Sequence, residues 1–334
     1  MTSACRQVAA RMVAPGKGIL AADESIGTMS MRLGKAGVEP SEENRRGYRE
    51  LLATTPGLAD GVSGIIFCDE TLRQRLSDGR TFADGLAAAG ILPGIKVDTG
   101  TTACPGLPGE TITEGLDGLA GRLAEYAQLG AAFAKWRAVI RIGDDLPSEA
   151  GVRANAHALA RYAAACQQAG IVPIVEPEVL MDGTHSLRRC AQVTTRVHHA
   201  VIAELAAFSV DPAGMVLKPN MIVEGASYPE RSTPEQVAEA TVNGLLSVLP
   251  NDLAGVAFLS GGQPAERATA NLAAMQAHRT PWPLTFSFGR ALVNVALTAW
   301  AGDAGRVPAG QSALAERVAA NAEAVRGRQR VQTG

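Results

Sequence analysis

Eight short apolar runs recur along this 334-residue chain with helix-forming segments between them, and this alternation restricts the fold more than any other feature. The runs are GILAAD (18–23), GVSGIIF (61–67), LPGIKVD (92–98), FAKWRAVIRI (133–142), IVPIVEPE (171–178), GMVLKPN (214–220), GVAFLSGG (255–262) and PLTFSFG (283–289). Each is nearly continuous in apolar residues, as suits parallel strands buried on both faces. Between them, Thr233-Pro234-Glu235-Gln236 reads as a capping box with proline at the first helical position. Ser148 opens an alanine-rich helix that stops at Gly170, the stretch from Thr113 to Gly130 reads as another, and Ser41 precedes EENRRGYRELL. Eight such alternations predict an α/β fold, a single (β/α)8 TIM barrel, in preference to two Rossmann-type halves. No GxGxxG follows the first run, and no Pro/Gly/Ser-rich break divides the chain. One domain is expected over residues 1–334, with a short tail from about Arg306 that holds a helix (Ser312 to Arg326) and a mobile polar end, RQRVQTG.

Composition removes several classes of function. With 31 basic and 33 acidic residues the net charge is −2, so the chain lacks the basic surface that nucleic acid requires. The few aromatics offer no stacking platform, and Trp136, between Lys135 and Arg137 but on the opposite strand face, is assigned to packing against helices. The five cysteines include no CxxC pair and read as reduced thiols of a cytoplasmic protein. No apolar run reaches the ~18 residues of a membrane span, and the N-terminal segment has no signal-peptide core. His157, His185, His198, His199 and His278 show no metal-ligand spacing, so no metal is expected, and no cofactor is expected either.

Barrel active sites lie at the C-terminal ends of the strands, and the ionisable residues of this chain gather there. The first run ends in Asp23, followed by Glu24 and Ser25. The third carries Lys96 and Asp98, the fourth Lys135 and Arg137, each pair two apart and so on one strand face. The fifth ends in Glu176 and Glu178, the sixth in Lys218. The chain uses arginine almost everywhere and has only five lysines, yet three of them stand in these runs. Arginine stays protonated, whereas a lysine crowded by other cations or desolvated can supply the neutral amine that a Schiff base needs. Two glycine-containing turns end the last two runs, Ser260-Gly261-Gly262 and Ser287-Phe288-Gly289-Arg290. On consecutive strands, and with the arginine, they suggest a phosphate site at Ser260, Gly261, Gly289 and Arg290.

These residues resemble those of the class I fructose-1,6-bisphosphate aldolases. The likeness runs from GKGILAADES through EENRRGYRELL, GIKVD, AKWR, VEPE, LKPNM, FLSGGQ and LTFSFGRAL, and so covers nearly the whole chain. It implies a barrel enzyme, a metal-independent lyase of glycolysis and gluconeogenesis. The reaction would be reversible cleavage of fructose 1,6-bisphosphate to dihydroxyacetone phosphate and glyceraldehyde 3-phosphate. On the matching motifs, Lys218 would be the Schiff-base lysine, Asp23 the group that handles the C4 hydroxyl proton, and Glu176 the acid/base of imine formation, with Glu178 beside it. Lys135, Arg137 and Lys96 match charged active-site residues. Ser260, Gly261 and Arg290 match one phosphate site, and Ser25, Thr28 and Arg32 fall where the family contacts the other. A homotetramer is implied by the same likeness.

Two departures stand out. Animal members end in a tyrosine on a mobile tail, whereas this chain has none after Tyr228; and Thr99 follows KVD where those members carry lysine. The competing readings are another Schiff-base barrel, such as a transaldolase or an aldolase for a different sugar phosphate, a metal-dependent aldolase, and an inactive barrel serving as a binding or scaffold protein.

Overall fold

A computed structural model describes residues 2–327. Helix α1 (Thr2–Met12) precedes β1 (Gly18–Ala22), α2 (Ile26–Lys35), α3 (Glu42–Ala53), β2 (Val62–Phe67), α4 (Asp69–Arg73), α5 (Phe82–Ala88) and β3 (Leu92–Lys96). A hairpin of β4 (Gly100–Ala103) and β5 (Thr111–Glu114) leads to α6 (Leu119–Gln128), β6 (Phe133–Ile140), α7 (Glu149–Gln168) and β7 (Val172–Val179). Then come α8 (Leu187–Ala207), β8 (Val216–Leu217), α9 (Pro234–Leu246), β9 (Gly255–Phe258), α10 (Ala265–Met275), β10 (Leu284–Phe288), α11 (Arg290–Trp300) and α12 (Val307–Arg326). Strands β1, β2, β3, β6, β7, β8, β9 and β10 pair in that order, and β10 returns to β1 to close a barrel. Every barrel pair is parallel. The eight apolar runs are thus the eight staves of the expected (β/α)8 barrel.

Polar caps fix where the helices begin. Ser41, Ser148, Ser186 and Thr233 each accept a backbone N–H from the first turn of their helix, and Thr233 with Gln236 forms the reciprocal capping box.

One end of the barrel is closed and the other open. Cys5, Ala9, Met12 and Val13 of the α1 region pack with Ile19, Phe133, Val172, Ile174, Val216 and Ala257, forming a floor beneath the barrel. A Cβ at Gly94 would lie 2.2 Å from the Phe133 ring, and one at Gly64 2.8 Å from it, so two strands lack side chains where this ring fills the interior. Burying the ring contributes roughly 2–3 kcal/mol. With the N-terminal end filled, the ionisable side chains of the strands gather toward the C-terminal mouth.

Three local expectations change. The helix read from Thr113 to Gly130 begins only at Leu119, behind Gly118 in a left-handed turn (φ 66°). The residues ahead of it form β5, paired antiparallel with β4. Its β-branched residues suit a strand, and Thr111 and Thr113 donate from their hydroxyls to the carbonyls of Val139 and Arg137. The C-terminal helix starts at Val307, not Ser312, with proline in its first turn, where the missing N–H costs nothing. The run at 214–220 yields only a two-residue strand, because Pro219 has no N–H to extend the ladder. The segment RQRVQTG lies outside the described residues.

Candidate active site

At the mouth, β1, β6, β7 and β8 deliver four ionisable side chains that water scarcely reaches: Asp23, Lys135, Glu176 and Lys218 are 9%, 4%, 4% and 3% exposed. Lys135 Nζ lies 2.7 Å from Asp23 Oδ2 and 3.4 Å from Glu176 Oε2. Lys218 Nζ lies 3.2 Å from Glu176 Oε1. Two amines and two carboxylates therefore alternate in one chain of contacts, Asp23–Lys135–Glu176–Lys218. Burial opposes charge on Asp23, yet the nearby Lys135, Lys218 and Lys96 outweigh it and hold the carboxyl at about 2. Burial likewise opposes charge on Lys135, but Asp23, Glu176 and Asp98 raise its pKa, so its ammonium persists. Glu176 Oε2 is buried and accepts no hydrogen bond, leaving an acceptor position open beside Lys135.

The remaining charged residues form a second tier. Lys96 turns to Asp98 on its own chain segment, 2.9 Å away, rather than to the Lys135–Lys218 pair. Asp98 also accepts from the backbone N–H groups of Gly100 and Arg137. Arg137 pairs through Nε with the buried Glu178. Trp136 points outward onto Tyr162 of α7, their ring centroids 5.5 Å apart, as its place between two inward residues requires.

The glycine turns at the ends of β9 and β10 converge. Gly261 and Gly262 adopt φ of 59° and 84°, a conformation open chiefly to glycine. A Cβ at Gly262 would lie 3.5 Å from Arg290 Nη2, so the Arg290 guanidinium stands beside the Ser260-Gly261-Gly262 turn. Helices α10 and α11 begin at these turns and neither receives a side-chain cap. Their free N–H groups and the arginine are the elements of an anion site. Next to them, after the neighbouring strand β1, Ser25 caps α2 by accepting from the Thr28 N–H and donates to the Thr28 hydroxyl at 3.0 Å. Arg32 on the same helix pairs with Glu24 and donates to Asn294 of α11 at 2.7 Å. Ser25, Thr28 and Arg32 are therefore grouped, and Arg32 is tied to the helix that carries Arg290.

Some participants escaped the sequence reading. Glu24 and Arg49 support this second cluster, and Ser287 faces the interior beside Ile19 with its buried hydroxyl unpartnered. A signal existed for Arg49: it is an arginine on the apolar face of α3, among Tyr48, Leu51 and Leu52. Ser287 stood in the Ser287-Phe288-Gly289-Arg290 turn, but nothing in that motif singled it out.

A (β/α)8 barrel whose open end holds a buried lysine pair interleaved with two carboxylates, flanked by two glycine turns and an arginine, is the arrangement expected of a Schiff-base lyase acting on a phosphorylated carbonyl compound. Comparison with known proteins agrees. The family described as "Glycolytic: Fructose-bisphosphate aldolase class-I" matches residues 4–333. A probable fructose-bisphosphate aldolase class 1 of Xanthomonas axonopodis pv. citri is 51% identical over 96% of this chain and 97% of its own length. The cytosolic fructose-bisphosphate aldolase 6 of Arabidopsis thaliana is 50% identical over 96% of this chain and 89% of that one. The solved structure of fructose-bisphosphate aldolase from Plasmodium falciparum superposes with a TM-score of 0.96 at 42% identity, covering 98% of this chain and 95% of the other. The chain belongs to the class I fructose-bisphosphate aldolases, a family of lyases. Among the described residues, no helix is long and apolar enough to cross a membrane.

Proposed function

We propose that this protein cleaves and forms fructose 1,6-bisphosphate reversibly through an imine on Lys218. The observation that carries the assignment is that Lys218 and Lys135 approach opposite oxygens of one buried carboxylate, Glu176. Lys218, as a neutral amine, attacks the C2 ketone. Glu176 protonates the departing carbinolamine hydroxyl, which leaves as water and gives the iminium. Asp23 accepts the C4 hydroxyl proton, the C3–C4 bond breaks, and its electron pair moves into the iminium to form an enamine. Glyceraldehyde 3-phosphate departs. Protonation of the enamine at C3 and addition of water then release dihydroxyacetone phosphate and restore the amine.

Lys135 remains an ammonium throughout and stabilises negative charge that develops on oxygen. Asp23 is a weak base, but the iminium supplies the driving force, so a correctly placed carboxylate suffices. Ser260, Gly261, Gly289 and Arg290 hold one phosphate and Ser25, Thr28 and Arg32 the other, while Lys96, Arg137 and Glu178 meet the substrate from β3, β6 and β7 on the other side of the mouth. We further assign the protein to the cytoplasm, as one barrel unit over its length and a homotetramer; its resemblance to cytosolic relatives supports the first of these.

Borohydride reduction with dihydroxyacetone phosphate, followed by peptide mass spectrometry, tests the core of the proposal. The expected product is a reduced adduct on Lys218, abolished in Lys218→Arg. An adduct on Lys96 or Lys135 reassigns the nucleophile, and the absence of any adduct from saturated enzyme overturns the imine mechanism. Activity is expected to survive excess EDTA. A tetramer mass in light scattering is expected, and a monomer mass refutes that part.

A further inference from the structure

Arg49 has no place in the reaction as written, yet it is among the most deeply buried charges in the molecule, with its side chain 2% exposed. It rises from α3 beneath the end of β1. Its Nε donates to the Ala22 carbonyl at 2.6 Å, and its Nη2 to the Glu24 carbonyl at 3.2 Å and to Glu24 Oε2 at 2.9 Å. The two carbonyls flank Asp23, so one rigid guanidinium clamps the backbone on both sides of that residue. The other oxygen of Glu24 receives Nη1 of Arg32, whose Nη2 donates to Asn294. The neighbouring Tyr48 donates to the Val293 carbonyl at 2.7 Å, which ties the same turn of α3 to α11. The cluster Arg49, Glu24 and Arg32 carries one net positive charge, which suits it to receive a further anion.

We propose that Arg49 is a positioning residue for carbon–carbon bond cleavage: it fixes the Asp23 carboxylate at the reaction centre and, through Glu24, aims Arg32 at the distal phosphate. The inference rests on the assignment of Lys218, Asp23 and Arg32 given above. Lysine cannot replace the residue, because a point charge on a flexible stem does not span two carbonyls and a carboxylate at once.

The test compares two steps that need different groups. Imine formation with dihydroxyacetone phosphate requires Lys218 and Glu176 but neither Asp23 nor Arg32. Arg49→Lys is expected to lose about a hundredfold in kcat for bisphosphate cleavage, the scale of an ångström of misplacement, and to raise KM for the bisphosphate. Borohydride labelling of Lys218 by dihydroxyacetone phosphate should keep its wild-type rate. Wild-type kcat and KM in a folded Arg49→Lys protein overturn the proposal, as does an equal loss of labelling and cleavage. If Arg49→Lys does not fold, Glu24→Gln tests the same relay: KM for the bisphosphate rises about tenfold, as a weakened charge-assisted contact predicts, with labelling intact. An unchanged KM overturns the proposal. Failure of the underlying assignment looks different, since wild-type enzyme would then give no Lys218 adduct at all.

Discussion

The ammonium of Lys135 lies 2.7 Å from Asp23 Oδ2, with neither residue more than 9% exposed. The pair is the hinge of the site, since Lys135 also approaches Glu176 and so links the group assigned to C4 with the group assigned to C2.

Removing that ammonium should damage folding and catalysis together. Lys135→Met leaves Asp23 and Glu176 facing each other across an apolar side chain, with Lys218 as the amine that remains beside them. Breaking a buried pair costs about 3–5 kcal/mol when one charge is left behind. The expected result is a lowered Tm and a kcat reduced by at least about a hundredfold, with KM affected less. Thermal melts and steady-state kinetics on the same preparation check both. A variant with wild-type kcat would remove Lys135 from the mechanism.

Asp23 also makes acid stability a readout of the site. Its carboxyl moves from an ordinary 3.8 down to about 2 on folding, because the surrounding lysines outweigh burial. Above 3.8 it is ionised in both states and its contribution is complete; as pH falls toward 2 the unfolded chain gains the proton first and that contribution is lost. The difference amounts to about 2 kcal/mol. Asp23→Asn should therefore flatten the dependence of unfolding free energy on pH between about 4 and 2. An unchanged slope in urea titrations across that window would show that Asp23 is not held ionised.

The barrel was legible because its strands are buried on both faces and so read as unbroken apolar runs, while the caps at Ser41, Ser148 and Thr233 mark helix starts by local chemistry alone. The site was legible for a related reason. An ionisable residue buried in or just after an apolar run is conspicuous: Asp23 and Lys218 directly follow their strands, while Lys135 and Glu176 lie within theirs. The hairpin of β4 and β5 was lost because Thr111–Glu114 is too short to establish a period before helical residues follow. Contacts that depend on tertiary approach were also beyond reach. Arg49 lies 25 positions from Glu24, and Arg32 is 262 from Asn294. Nothing in the local sequence of either arginine indicates which oxygen it meets.

His198 governs a different pH window. It is 2% exposed on α8, both ring nitrogens lack hydrogen-bond partners, and burial moves its pKa from 6.5 to about 4. The folded protein keeps it neutral, so between 6.5 and about 4 only the unfolded chain takes up the proton. Stability falls as pH drops through that range, by about 3 kcal/mol in all. His198→Leu should reduce the fall in Tm between pH 7 and 4.5 without changing kcat at neutral pH. A wild-type slope in this variant would refute the buried neutral histidine.

The two turns beside Arg290 yield the last expectation. Gly262 holds φ 84°, yet a Cβ there meets nothing closer than 3.5 Å, so Gly262→Ala is strained by backbone conformation and not by crowding. It should cost about 1–2 kcal/mol of stability and turn the loop's N–H groups away from a bound anion. Arg290→Ala removes the charge but leaves the turn intact. Both variants should raise KM for phosphorylated ketoses, Arg290→Ala by about tenfold to a hundredfold, the usual range for a lost charge-assisted hydrogen bond. Inhibition by inorganic phosphate should weaken in parallel, because it needs the same donors and none of the imine chemistry. Unchanged phosphate inhibition in Arg290→Ala would move the anion site away from the ends of β9 and β10, and with it the direction in which the substrate lies across Lys218.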